Sequence, residues 1–220
     1  MSWINQINWD QIFVAFKETI YMSSVSLIFS IIFGLIIGII LFATASQGLI
    51  ENKFINKTAD LIVNVLRAIP FIILMIILIP LAKAITGSML GASAALPSLI
   101  FAASPFYARL CCIAFMEVDK GTIEASKAMG ASNWQIIYKV LLPESLPALV
   151  SGACVTAISL ISYTAMAGAI GSGGLGYIAY QYGFARRNNA VLFTATAIIT
   201  VIVLLLQWLA DYLSARIDKR

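Results

Sequence analysis

The hexapeptide Gly171-Ser-Gly-Gly-Leu-Gly176 is the one stretch whose spacing could cradle a phosphate, because it matches G-x-G-x-x-G. That chemistry needs a strand before the glycines, a helix after them and an acidic residue about 20 positions on. Here an apolar run precedes the motif, and residues 188–210 hold no Asp or Glu. The five glycines within 168–176 are read instead as the flexible end of an apolar span. No G-x-x-x-x-G-K-S/T phosphate loop occurs either, so the chain does not hydrolyse ATP by that route.

Other chemistry is equally thin. There is no histidine, which removes the commonest general base and metal ligand. Cys111, Cys112 and Cys154 lie in apolar runs without metal-ligand spacing and are read as packing residues. No nucleophile–base pair sits at one depth, which argues against a membrane-embedded hydrolase. All ten carboxylates (Asp10, Glu18, Glu51, Asp60, Glu117, Asp119, Glu124, Glu144, Asp211 and Asp218) fall at span ends or in loops. An ion-coupled transporter usually carries an ionisable group deep in the membrane, so that rival class is disfavoured. No catalytic, cofactor-binding or metal-binding residue is expected on this chain.

The elements around these residues are membrane helices. Of 220 residues, 61% are hydrophobic and 11% charged. A soluble domain is about 45–50% apolar and about 25% charged. Five apolar runs, roughly 19–45, 61–83, 94–116, 147–171 and 190–212, each exceed the ~20 residues needed to cross the hydrocarbon core. Lipid offers no partners to backbone N–H and C=O groups, so helices are expected. The fold class is all-α: a single polytopic transmembrane domain over 1–220. Residues 1–18, with Trp3, Trp9, Asp10, Lys17 and Glu18, read as an interfacial amphipathic lead-in rather than a signal peptide.

Positive charge orients the chain. With the N-terminus outside, segments 46–60, 117–146 and 213–220 are inside and carry eight cations: Lys53, Lys57, Lys120, Lys127, Lys139, Arg216, Lys219 and Arg220. The outer segments carry four: Lys17, Lys83, Arg186 and Arg187. Cations favour the cytoplasmic side, so the C-terminus is expected to be cytoplasmic. The net charge of +4 is scattered and forms no nucleic-acid stripe. Arg67 and Arg109, near the inner ends of their spans, are expected to snorkel or pair with carboxylates. Pro70 and Pro105 kink their spans, either for packing or beside a path. Gly34 and Gly38, four apart, permit close helix approach and are read as a contact within the subunit.

The longest hydrophilic connection, 117–146, is expected to hold two short helices. Thr122 can cap the first, over 123–129, with Glu124 in its first turn. Gly130 can end it in the left-handed conformation. Ser132 and Gln135 have capping-box spacing for a second helix, which should stop before Pro143. The first is lined by small residues (Ala125, Ser126, Ala128 and Ala131) that let a backbone enter a partner's cleft. Met129 and Trp134 would be apolar anchors. A surface-lying loop is the alternative.

Glu124-Ala-Ser126, Gly130 and Val140-Leu-Leu-Pro143 resemble the cytoplasmic EAA loop of ABC importer permeases, with Ser126 and Val140 as mild departures. Arg67-Ala-Ile-Pro-Phe-Ile-Ile73, Ala103-Ser-Pro-Phe-Tyr-Ala-Arg109 and Ser162 to Tyr177 look like the methionine ABC importer permease family, and the likeness covers nearly the whole chain. The resemblance implies a type I importer fold in the bacterial cytoplasmic membrane. It implies a homodimer of permeases surrounded by lipid, with two cytoplasmic ATPase subunits that hold ATP and Mg, fed by an external methionine-binding lipoprotein. It makes Glu124, Ala125, Ser126, Met129, Gly130, Leu142 and Pro143 the ATPase-coupling residues. It places Ser162, Tyr163, Met166, Pro70 and Gly171 along the translocation path or gate. Ordinary span packing, with hydroxyls bonded to their own helix, is the alternative for span 4. The cargo expected is methionine, moved by alternating access; another amino acid or a small organic cation is the alternative.

Overall fold

Among the residues that the computed structural model describes, 7–46 and 48–217, every regular element is a helix and there is no strand. Trp3, Asp218, Lys219 and Arg220 lie outside them. The first helix, α1, runs Trp9–Thr44. Asn8 caps it by accepting the Gln11 N–H at 3.2 Å, and Asp10 sits in its first turn. Residues 9–18 are therefore the opening turns of the span and not a separate lead-in, because nothing between the cap and Ala45 breaks the helix.

The expected span 61–83 is broken. Helix α2 covers Lys53–Ala68 and α3 covers Phe71–Thr86, and the two are bent by 108°. Proline pushes the residue ahead of it out of the helical region. Ile69 is accordingly extended (φ −76°, ψ 124°), and Pro70 caps α3 rather than kinking a continuous helix. Pro80 is the proline actually inside α3.

Helix α4, Ala92–Met116, holds Pro97 and Pro105 within it. Helix α5, Lys120–Ala128, begins three residues earlier than expected: Asp119, not Thr122, is its cap, accepting the Thr122 N–H at 3.0 Å. Helix α6, Asn133–Ile136, starts on the anticipated capping box. It does not stop before Pro143. A π-helical stretch, Ile137–Leu141, carries it into α7, Leu142–Ala169. The Leu142 N–H bonds to the Ile137 carbonyl, one residue further back than in an α-helix. That wider turn accommodates a residue that lacks an N–H and whose ring would crowd the preceding turn. After the glycine turn come α8, Gly174–Tyr177, a π-helical stretch, Ile178–Ala185, and α9, Asn189–Ile217.

Trp9–Thr44, Ala92–Met116, Asn133–Ala169 and Asn189–Ser214 are each long and apolar enough to cross a membrane, and the bent α2–α3 pair is the fifth crossing if it counts as one span. Residues early in α1 and α9, such as Ile12 and Val191, share a buried cluster with Leu175 of α8. At the opposite end Phe42 of α1 meets Phe115 of α4 edge-on, at 5.8 Å between ring centroids. There Ser214 of α9 lies 2.7 Å from Ser151 of α7, oxygen to oxygen. The first and last described residues thus sit at opposite ends of the bundle, which fits five crossings if the bent pair counts as one. Gly34 and Gly38 pack α1 onto α4: a Cβ on Gly38 would lie 2.6 Å from Cys111 Cβ. This is the contact within the subunit that the spacing suggested. All three cysteines are free.

Candidate functional site

Two regions hold the sequence-predicted residues. The first is the end of the bundle that carries α5. Its buried face is Ile123 and Ser126. Ile123 joins Tyr107, Phe115 and Ile136 in one core cluster, which clamps α5 to the end of α4. Ser126 turns its hydroxyl to the Thr122 carbonyl at 2.8 Å, so it belongs to the inner face and not to an outward one. Glu124, Ala125, Met129 and Gly130 point outward, and Met129 is 81% exposed. Gly130 has φ 81°, the left-handed turn that ends α5, and nothing lies within 4 Å of where its Cβ would be. Trp134 is exposed beside this face, on a helix fixed by both halves of the capping box: Ser132 N–H to Gln135 Oε1, 2.8 Å, and Gln135 N–H to Ser132 Oγ, 3.3 Å. Leu142 and Pro143 do not join the α5 surface. They open α7, where Leu142 packs against the core cluster and Pro143 follows the π-helical turn.

The second region is the middle of α7. Val155, Ser162 and Met166 are exposed and fall at i, i+7 and i+11, so they form one unpartnered stripe along the helix. Tyr163 is half-buried next to it, with its ring stacked on Phe71 at 4.7 Å and 14°. Phe71 follows Pro70, so the structure brings Tyr163 to the α2–α3 break. Several hydroxyls of α7 bond to their own helix: Ser159 to Val155 O at 2.9 Å, and Thr164 to Ile161 O at 2.7 Å. Gly171 is further on, at φ 100°, and its carbonyl accepts the Gly91 N–H at 3.1 Å.

The glycine turn around Gly171 is not a loose end. Gly168 lies against the backbone of Gly176 and Tyr177, and Gly176 lies against Ala165, closer than any Cβ would allow. The bare N–H groups that start α8 are met by α1: Glu18 Oε2 accepts the Gly174 N–H at 2.7 Å, and Thr19 Oγ1 accepts the Leu175 N–H at 2.9 Å. Sequence reasoning missed Glu18 and Thr19. The available signal was an acidic residue and a threonine entering an apolar run, opposite a glycine pair that begins a helix. Arg109 does pair as anticipated, with Asp60 at 3.1 Å. Arg67 is exposed.

This arrangement has an apolar bundle and one exposed short helix; among the described residues no cluster of three or more potential metal ligands exists. The family model for the binding-protein-dependent transport system inner membrane component matches residues 30–219.

The chain belongs to that family.

As a binding-protein-dependent transport component it is a multi-pass inner-membrane subunit rather than an enzyme. It is 52% identical to the methionine import system permease protein MetP of Bacillus subtilis, over 92% of this chain and 91% of that one. It is 44% identical to the probable D-methionine transport system permease protein MetI of Pasteurella multocida, over 96% and 98%. Among solved structures, a chain of the methionine ABC transporter MetNI in inward-facing conformations superimposes with a TM-score of 0.93, at 41% identity, over 95% of this chain and 97% of that one.

Proposed function

We propose that this chain is the permease subunit of an ATP-driven importer that carries methionine across the bacterial cytoplasmic membrane. The observation that carries the cargo is the 52% identity, over 92% of the chain, to a methionine import permease. Two copies enclose the path, two ATPase subunits bind ATP and Mg on the cytoplasmic side, and an external methionine-binding lipoprotein delivers the cargo. The N-terminus is outside, so α5 faces the cytoplasm; the excess of Lys and Arg in the segments at that end supports this side.

The mechanism is alternating access. Glu124, Ala125, Met129 and Gly130 form the face that enters the ATPase, with Trp134 beside it. Ser126 and Ile123 brace that face from behind, and Leu142 and Pro143 set how the chain re-enters the bundle. The stripe Val155, Ser162 and Met166 faces across the path, because it is an exposed face of mixed polarity on an otherwise packed helix. Tyr163, Phe71 and Pro70 form its constriction at the α2–α3 break, and the Gly171 turn closes the outer end. Weak polar groups among apolar ones suit a thioether amino acid that must not bind tightly in transit.

A methionine-requiring strain that lacks its own methionine importers and expresses this chain with its ATPase and binding protein tests the cargo. Labelled methionine should accumulate, and excess unlabelled methionine should compete where lysine and histidine do not. Accumulation of another amino acid that methionine fails to inhibit would reject the cargo while leaving the transport class standing.

A further inference from the structure

Helix α2 meets α3 at a 108° bend, so its own position depends on its contacts with α1 and α4. One side of α2 rests on α1: Asn56 Nδ2 donates to the Leu41 carbonyl at 2.8 Å and to Thr44 Oγ1 at 3.2 Å. Val63 of α2 is also buried in a cluster with Leu41 of α1 and Cys112 of α4, and beside that packing lies an ionic tie. Arg109 Nη1 of α4 donates to Asp60 Oδ1 of α2 at 3.1 Å. Both side chains are about 40% exposed, at 40% and 41%. A pair this open adds little to fold stability. Its geometry is more telling than its strength. Arg109 lies two residues beyond Tyr107, and Tyr107, Phe115 and Ile123 of α5 share one packed cluster. At the far end of α2, beyond the break, Phe71 stacks on Tyr163 of α7. A displacement of α5 is therefore handed to α4 by close packing, from α4 to α2 by the Val63–Cys112 contact and the ion pair beside it, and from α2 through the break to the aromatic stack.

We propose that Asp60 and Arg109 are positioning residues that link the α5 helix to the α2–α3 break, so that movement of α5 opens and closes the constriction beside Tyr163. The proposal rests on the transport reading above. Neither residue touches cargo or nucleotide. The pair fixes the register in which α2 follows α4, and without it less cargo moves for each ATP hydrolysed.

The test is a double-mutant cycle in the full complex, reconstituted in liposomes with its ATPase and binding protein. Asp60→Asn, Arg109→Gln and the double variant are compared with the unmodified complex for methionine uptake per ATP hydrolysed. Failure of the unmodified complex to take up methionine would strike the transport reading and not the pair. Each single variant should assemble normally and keep its ATPase rate, while uptake per ATP falls between about two- and thirtyfold. The double variant should lose no more than the worse single one, because both break the same link, and Arg109→Lys should retain most of the coupling. Unchanged uptake per ATP, or losses that multiply in the double variant, would overturn the proposal. Failure of the single variants to assemble would also overturn it, since the pair would then be a structural brace.

Discussion

Glu18 and Gly174 stand 156 residues apart in the chain, and the carboxylate of one accepts the backbone N–H of the other at 2.7 Å. Thr19 repeats the contact one residue on, holding the Leu175 N–H at 2.9 Å while its own hydroxyl donates to Ala15 O at 3.0 Å. The start of α8 is thereby fastened to α1. Hydrogen bonds to a charged group contribute about 1.5–3 kcal/mol. Glu18→Ala should therefore raise amide exchange at residues 174–176 by roughly tenfold or more, read by hydrogen exchange in detergent, with α4 unaffected. Equal protection in both proteins would show that glycine packing alone holds the turn.

Gly38 is packed where no side chain fits. A Cβ there would meet Cys111 Cβ at 2.6 Å and the Ala108 carbonyl at 3.0 Å. Gly38→Val should part α1 from α4 and destabilise the chain by about 1–3 kcal/mol, the usual cost of overpacking. Thermal unfolding followed by size-exclusion chromatography checks this.

Gly130 is the opposite case. Its φ of 81° favours glycine, but nothing lies within 4 Å of a Cβ placed there. Asp tolerates the left-handed region better than most residues. Gly130→Asp should therefore insert and fold normally, yet fail to co-purify with the ATPase, because only the outward face has changed. Co-purification at the unmodified level, with normal uptake, would remove Gly130 from the docking face.

The Phe71–Tyr163 stack separates aromatic packing from hydroxyl chemistry. Tyr163→Phe keeps the rings and should leave stability and uptake unchanged. Tyr163→Ala should cost about 0.5–1.5 kcal/mol beyond the buried area it loses, as aromatic pairs do, and should also slow uptake. A transport defect in Tyr163→Phe would instead assign the hydroxyl a contact with cargo.

The spans were legible where apolar runs and caps agree. Helix α4 follows the expected 94–116 closely, because Gly91 and the carboxylate of Glu117 bound its apolar run. The capping box at Ser132 was legible for the same reason: its two hydrogen bonds are local. The break at Pro70 was not, since hydropathy registers how apolar a run is and not its direction. The helix through Pro143 was missed because a π-helical turn absorbs a proline without any sequence mark. In the candidate site, the outward face of α5 was readable from small residues and a turn glycine. Ser126 was assigned to it although its i, i+3 spacing with Ile123 puts both on the buried side. Contacts such as Glu18 with Gly174 join distant segments and leave no spacing to read, while for Arg109 a carboxylate partner was expected but not that it would be Asp60 of α2.

In the function proposed above, energy reaches this chain through α5 from a separate ATPase. Proteoliposomes carrying the chain with its ATPase, supplied with binding protein and methionine outside and with ATP and Mg inside, test it most directly. Uptake should require ATP hydrolysis, persist when ion gradients are collapsed, and vanish when the ATPase is left out. Methionine uptake that runs on an ion gradient without the ATPase would contradict the account.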